Sequence, residues 1–200
     1  MWAFILTATI VELTPGPNMT WLAVLGANRG RPAALAAVAG IAIGLALAGL
    51  IAALGLSVLF DYYPSLLTAL RIAGTFYLLY LAYEAWTDAS QPQNVAAKPR
   101  IVYFFQGFIS NALNPKAYLF YAAILPQFIS ISENPIAQIA LLTSVYVVIA
   151  TSIHAMIALL AGSISKWLAI SPSAQLVRRG LAIVIAFAAI WFFISTEGLK

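Results

Sequence analysis

Residues 32–60 hold 29 positions without a charge, and residues 134–165 hold 32 interrupted only by His154. A helix crosses the ~30 Å hydrocarbon core of a bilayer with about 20 mostly apolar residues. Runs of this length therefore make lipid the solvent for much of the chain. The composition agrees. Hydrophobic residues are 63% of the 200 and charged residues only 8%, whereas a soluble domain is about 25% charged because its surface must face water.

The same totals exclude several chemistries. The chain has no cysteine, which removes disulfide scaffolds, thiolate metal sites and cysteine nucleophiles. A single histidine, His154, removes multi-histidine metal sites. The net charge of +4 does not point to nucleic acid, because most basic residues lie in short loops between apolar runs, where positive charge sets membrane orientation. The first apolar run has neither a basic leading region nor a small-residue cleavage site, and it reads as retained.

Six spans are expected: 2–27, 34–59, 65–86, 101–132, 136–163 and 176–196. The stretch 101–132 would be about 48 Å long as one straight helix, so it must tilt strongly, break, or partly leave the membrane. The polar stretch 87–100, TDASQPQNVAAKPR, reads as a cytoplasmic linker. It separates a first three-helix repeat, 1–86, from a second, 101–200. An odd number of spans per half requires the halves to be inverted if they share a fold, a transporter architecture. Pro15 and Pro115 fall at equivalent places in the first span of each half; the alternative is six unrelated helices. Arg29, Arg31, Lys98, Arg100, Lys166, Arg178 and Arg179 fall on one side. Lys200 lies opposite with Asp61, Glu133 and Glu197. Basic loops stay cytoplasmic, which places both termini in the periplasm.

Two spans should be broken. In Glu12-Leu13-Thr14-Pro15-Gly16-Pro17-Asn18 the prolines lack N–H groups and leave helical carbonyls without partners. The helix should stop near Thr14 and restart at Pro17, which suits a first helical position. In Ser110-Asn111-Ala112-Leu113-Asn114-Pro115-Lys116, Pro115 pushes Asn114 out of the α region. Unsatisfied backbone at membrane depth is tolerated only where protein or a watery cavity covers it, so the breaks predict a cavity. The restarted half-helix would turn N–H groups and a positive dipole end toward it, which suits a carboxylate.

Charges deep in a span cost roughly 2.5–3.5 kcal/mol and so need partners. Glu12 and Lys116 are candidates for one another, or for a substrate's ammonium and carboxylate. Arg71 and Glu84, nearer span ends, read as snorkelling to the headgroups. His154, mid-span, reads as a helix-to-helix hydrogen bond, with a proton relay as the alternative. Ala36, Gly40, Gly44, Ala48 and Ala52 recur every fourth residue, a small-residue stripe that permits close helix contact. It serves contacts within a subunit or between subunits, which leaves a homo-oligomer open.

These residues carry a family likeness. TPGPN at 14–18, the glycine-rich run from Gly30 through Gly44, RIAGTFYLLYLAYEA at 71–85 and GFISNALNPKAYLFYAAILPQF at 107–128 resemble the lysine-exporter (LysE-type) translocators, which include homoserine/threonine exporters. The resemblance implies a six-helix protein of the bacterial inner membrane that expels amino acids, using the proton gradient. It puts functional weight on Pro15, Gly16, Pro17, Asn111, Asn114, Pro115 and Lys116. Ala48 stands where many relatives carry a histidine, and Glu84 where a basic residue is common. A proton route through position 48 and the substrate preference therefore do not carry over.

The combined reading is an all-α membrane protein of two inverted three-helix repeats, the first helix of each broken. It exports an amino acid or small derivative by proton antiport and is not an enzyme. The substrate site would comprise Glu12, Pro15, Gly16, Pro17, Asn18, Asn111, Asn114, Pro115 and Lys116, with Glu12 and His154 as proton-coupling candidates. No cofactor or metal is called for; the partners are the amino acid, protons and lipid. A small-cation or metal exporter is an alternative that the scarcity of ligands argues against. A membrane enzyme is another, for which His154 has no recognisable serine partner beyond Ser144 and Ser152. A membrane assembly subunit without transport is the third.

Overall fold

The computed structural model describes residues 1–54, 63–89, 98–130, 134–170 and 173–195. Among these residues all regular structure is helical: α1 (Trp2–Leu13), α2 (Pro17–Arg29), α3 (Arg31–Ala53), α4 (Pro64–Ala89), α5 (Arg100–Ala112), α6 (Pro115–Leu119), α7 (Pro135–Ile170) and α8 (Ala174–Ser195). A wide π turn, Phe120–Ile124, and a tight 3-10 turn, Leu125–Phe128, follow α6. Proline opens most of these elements. Pro17, Pro64, Pro115 and Pro135 are first helical residues and Pro32 is a second. At a helix start the missing N–H has no helical partner to lose.

Among the described residues four helices are long and apolar enough to cross a membrane: α3, and within α4, α7 and α8 the stretches Ser65–Ala89, Pro135–Leu168 and Ala174–Ile194. The runs 2–27 and 101–132 do not form single helices of that length, because each is divided where its prolines fall. The first becomes pieces of 12 and 13 residues. The second becomes pieces of 13 and 5 followed by the irregular turns. Breaking, rather than tilting alone, thus disposes of its excess length. α7, at 36 residues, is about 54 Å long and exceeds the hydrocarbon core. α4 continues through Thr87, Asp88 and Ala89 into the polar stretch. Residues 90–97 of that stretch, and the acidic and basic residues Asp61, Glu133, Glu197 and Lys200, lie outside the described residues.

α3 is the hub, packed against α5 and α7; α7 also packs against α1 and α2, and α4 pairs with α8. The small-residue stripe makes the α3–α5 contact. A Cβ on Gly40 would stand 1.9 Å from the Phe104 carbonyl oxygen, and one on Gly107 2.1 Å from that of Ala37. The two backbones touch, so the stripe packs helices within one chain. The core carries the buried rings of Phe4, Phe120, Tyr121 and Tyr146, with Phe120 stacked on Tyr146 at 3.7 Å between centroids. Large apolar side chains such as Leu6, Phe76, Val148 and Phe187 face outward, as lipid solvation allows.

Basic residues gather at one end. Gly30, at φ 81°, turns α2 into α3 through a conformation that L side chains rarely adopt. There Arg29 pairs with Asp88 at the end of α4, and Arg31 Nε donates to the Leu159 carbonyl of α7 at 3.1 Å. Lys98 pairs with Glu84 at 3.1 Å.

Candidate functional site

The first break follows its prolines. α1 ends at Leu13, Thr14 is extended (ψ 115°), Gly16 is extended (φ −137°, ψ 168°), and α2 restarts at Pro17. No side chain caps that restart, so the N–H groups of its first turn are left for another acceptor. In the second break Asn114 takes ψ 107°, and its side chain accepts from the Lys116 N–H at 3.1 Å. That cap belongs to asparagine, whose short carbonyl reaches the next turn's amide.

The two breaks meet. Lys116 Nζ donates to the Thr14 carbonyl at 3.1 Å, an acceptor made available by the chain's departure from helix at Pro15. Beside it Ser110 Oγ, on α5, donates to Asn18 Oδ1, on α2, at 2.6 Å. Glu12, 4% exposed, accepts from the Tyr146 hydroxyl at 2.5 Å, and His154 Nε2 lies 3.9 Å from its other oxygen. Tyr146 and His154 are two turns apart on one face of α7. Between these groups lies a cavity of about 20 Å³, lined among others by Glu12, Gly16, Asn18, Asn111, Lys116 and His154. Asn114, Ala117 and Tyr146 also border it. The side-chain nitrogens Asn18 Nδ2, Asn111 Nδ2 and His154 Nδ1 are buried without hydrogen-bond partners.

The expected site residues thus fall in one region. Pro17 and Pro115 are buried at the helix restarts, while Pro15 is exposed at the break itself. Two expectations need correction. Glu12 and Lys116 are not partners of one another: one takes a phenol and faces an imidazole, the other takes a backbone carbonyl. The cavity where the breaks meet is small; about 20 Å³ has room for roughly one water. Glu84 does not snorkel. Its side chain is 17% exposed and accepts from Gln106 Nε2 at 2.8 and 3.0 Å, because α5 presents an amide at that level. Arg71 lies over the Phe193 ring, 4.8 Å from its centroid, a cation–π contact.

Tyr146 and Ser110 were not singled out by the sequence. The available signal was spacing: Tyr146 lies eight residues before His154 in a run without charges. Among the described residues no three His, Cys, Asp or Glu side chains gather as a metal site would need.

A multi-pass helical membrane protein with an acidic and a basic side chain on one cavity where two interrupted helices meet is the class that this fold and site define. The chain belongs to the LysE type translocator family, whose pattern matches residues 9–196. It is 29% identical over 195 residues to the uncharacterized membrane protein YrhP of Bacillus subtilis, covering 92% of this chain and 93% of that one. It is 29% identical over 171 residues to the homoserine/homoserine lactone efflux protein of Salmonella typhimurium, covering 83% and 82%. It is 31% identical over 135 residues to the leucine efflux protein of the same organism, covering 66% and 64%. No solved structure gives a significant match.

Proposed function

We propose that this chain is a secondary transporter that exports an amino acid or small amino-acid derivative across the bacterial inner membrane in exchange for protons. The observation that carries the reading is the meeting of the two breaks around one cavity, with Glu12 and Lys116 both in its lining. The names of the two efflux relatives support an amino acid as the cargo.

The cavity complements a zwitterion. Lys116, the unpaired amides of Asn18 and Asn111, and the uncapped start of α2 are all donors, suited to a carboxylate. Glu12 is the acceptor suited to an ammonium. Pro15, Gly16, Pro17, Asn114 and Pro115 shape the breaks that present these groups. A cavity with room for about one water excludes an amino acid, so this is a closed state, and the breaks part to load and release. Protonating Glu12 removes the charge that holds the ammonium, so proton and substrate compete for one carboxylate. In this scheme His154, whose Nε2 lies 3.9 Å from Glu12, passes that proton.

The proposed architecture is six spans in two inverted halves, 1–86 and 101–200, joined through 87–100, with both termini periplasmic. Reciprocal packing supports it: α3 packs on α5 of the other half, α7 on α1 and α2 of the other half, and α3–α7 and α4–α8 pair like with like. The test is a counterflow screen of amino acids in proteoliposomes under an imposed pH gradient. Uptake of a labelled amino acid that an opposing proton gradient accelerates supports the exporter; no amino acid moving under any gradient overturns it.

A further inference from the structure

A second cavity, of about 30 Å³, lies between α2, α4, α5 and α8 at the basic end of the bundle. Its wall includes Asn28, Glu84, Tyr103, Gln106 and Arg178, and the Arg29–Asp88 ion pair flanks it. Interiors leave few polar atoms unpaired, yet several gather here. Tyr103 is 3% exposed and Gln106 7%, and the Tyr103 hydroxyl and Gln106 Oε1 have no hydrogen-bond partner; nor do Asn28 Oδ1 and Arg178 Nε. The wall therefore offers both donors and acceptors.

The charges have a defined arrangement. The Glu84 carboxylate already seats an ammonium, that of Lys98 at 3.1 Å, with Gln106 Nε2 on its other side. The Lys98 side chain is 36% exposed and that of Glu84 17%, so the ammonium is the partner that water reaches and the one that can be exchanged. The Arg178 guanidinium has no ion pair among the described residues, and its planar fork matches a carboxylate. Residues of α2 and α5 line both cavities: Asn18 and Asn111 the first, Asn28, Tyr103 and Gln106 the second. From Asn18 to Asn28 is about 15 Å of α2. The Ser110–Asn18 bond ties the two helices at the first cavity.

We infer that this cavity, which at about 30 Å³ is closed to an amino acid here just as the first is, widens into a loading site for an amino-acid zwitterion, its ammonium replacing that of Lys98 on Glu84 and its carboxylate taken by Arg178 and Tyr103. From it the substrate reaches the first site when the Ser110–Asn18 contact parts. The inference rests on the exporter reading and deepens it.

The test uses the full chain, purified and reconstituted, with L-leucine and L-homoserine as probes. Equilibrium binding of the labelled probe is measured together with counterflow KM. Wild type is expected to bind two molecules per chain. Arg178→Gln is expected to bind one and to raise KM about tenfold, the loss of one charge-assisted hydrogen bond. Tyr103→Phe, which removes a single oxygen, is expected to shift KM in the same direction and serves should Arg178→Gln fail to fold. Counterflow by a wild type that binds one molecule per chain, or wild-type KM in the folded variants, overturns the loading site and leaves the exporter standing. A wild type that moves neither these probes nor any other amino acid overturns the exporter, and the loading site with it.

Discussion

Lys116 of the second break donates its ammonium to the carbonyl of Thr14 in the first, at 3.1 Å. A residue from one half of the chain thereby satisfies backbone that a proline in the other half left without a helical partner. Lys116 also lines the cavity, and the contact can be exchanged: a substrate carboxylate offers the same ammonium a charged acceptor in place of a neutral one.

Lys116→Ala should raise the KM for the exported amino acid by about tenfold or more, the loss expected for one hydrogen bond to a charged group. Counterflow kinetics in proteoliposomes measure it. Unchanged kinetics would reduce Lys116 to a cap on the first break.

Glu12→Gln keeps the size of the side chain and removes its charge. Efflux driven by a pH gradient should be lost, while membrane insertion and a monodisperse elution profile persist. Gradient-driven efflux at the wild-type rate from this variant takes Glu12 out of the coupling scheme.

Tyr146→Phe should leave the stack on Phe120 in place and strip Glu12 of its 2.5 Å donor. A buried carboxylate without that bond costs about 1–3 kcal/mol. The thermal midpoint of the detergent-solubilised protein should therefore fall. An unshifted midpoint would mean that another donor takes the place of the phenol.

Two glycine substitutions should act in opposite directions. Gly40→Ala drives a methyl into the Phe104 carbonyl and should destabilise by about 1–3 kcal/mol. Gly180→Ala, on α8, meets nothing within 4 Å and should stabilise by about 0.5–1 kcal/mol through helix propensity alone. Thermal unfolding of both variants reads the difference; equal midpoints would contradict the α3–α5 contact.

The positions of the breaks were legible because proline acts locally. Without an N–H it ends one helix and starts another whatever surrounds it, and α2 and α6 begin at Pro17 and Pro115. The small-residue stripe on α3 was legible as a contact surface, but not its partner. Glu84 was misread because a span-end carboxylate reads as reaching for headgroups until Gln106 is seen to face it from α5.

By itself the sequence determined the solvent, the helical character, the two interruptions and the burial of Glu12, since each follows from residue type and near neighbours. Only the tertiary structure decided who partners whom: Tyr146 for Glu12, the Thr14 carbonyl for Lys116, Asn18 for Ser110. Those pairs are 134, 102 and 92 residues apart. The reason is physical. Hydropathy and proline act along the chain, whereas a hydrogen bond at membrane depth depends on which helices the packing of small residues brings together.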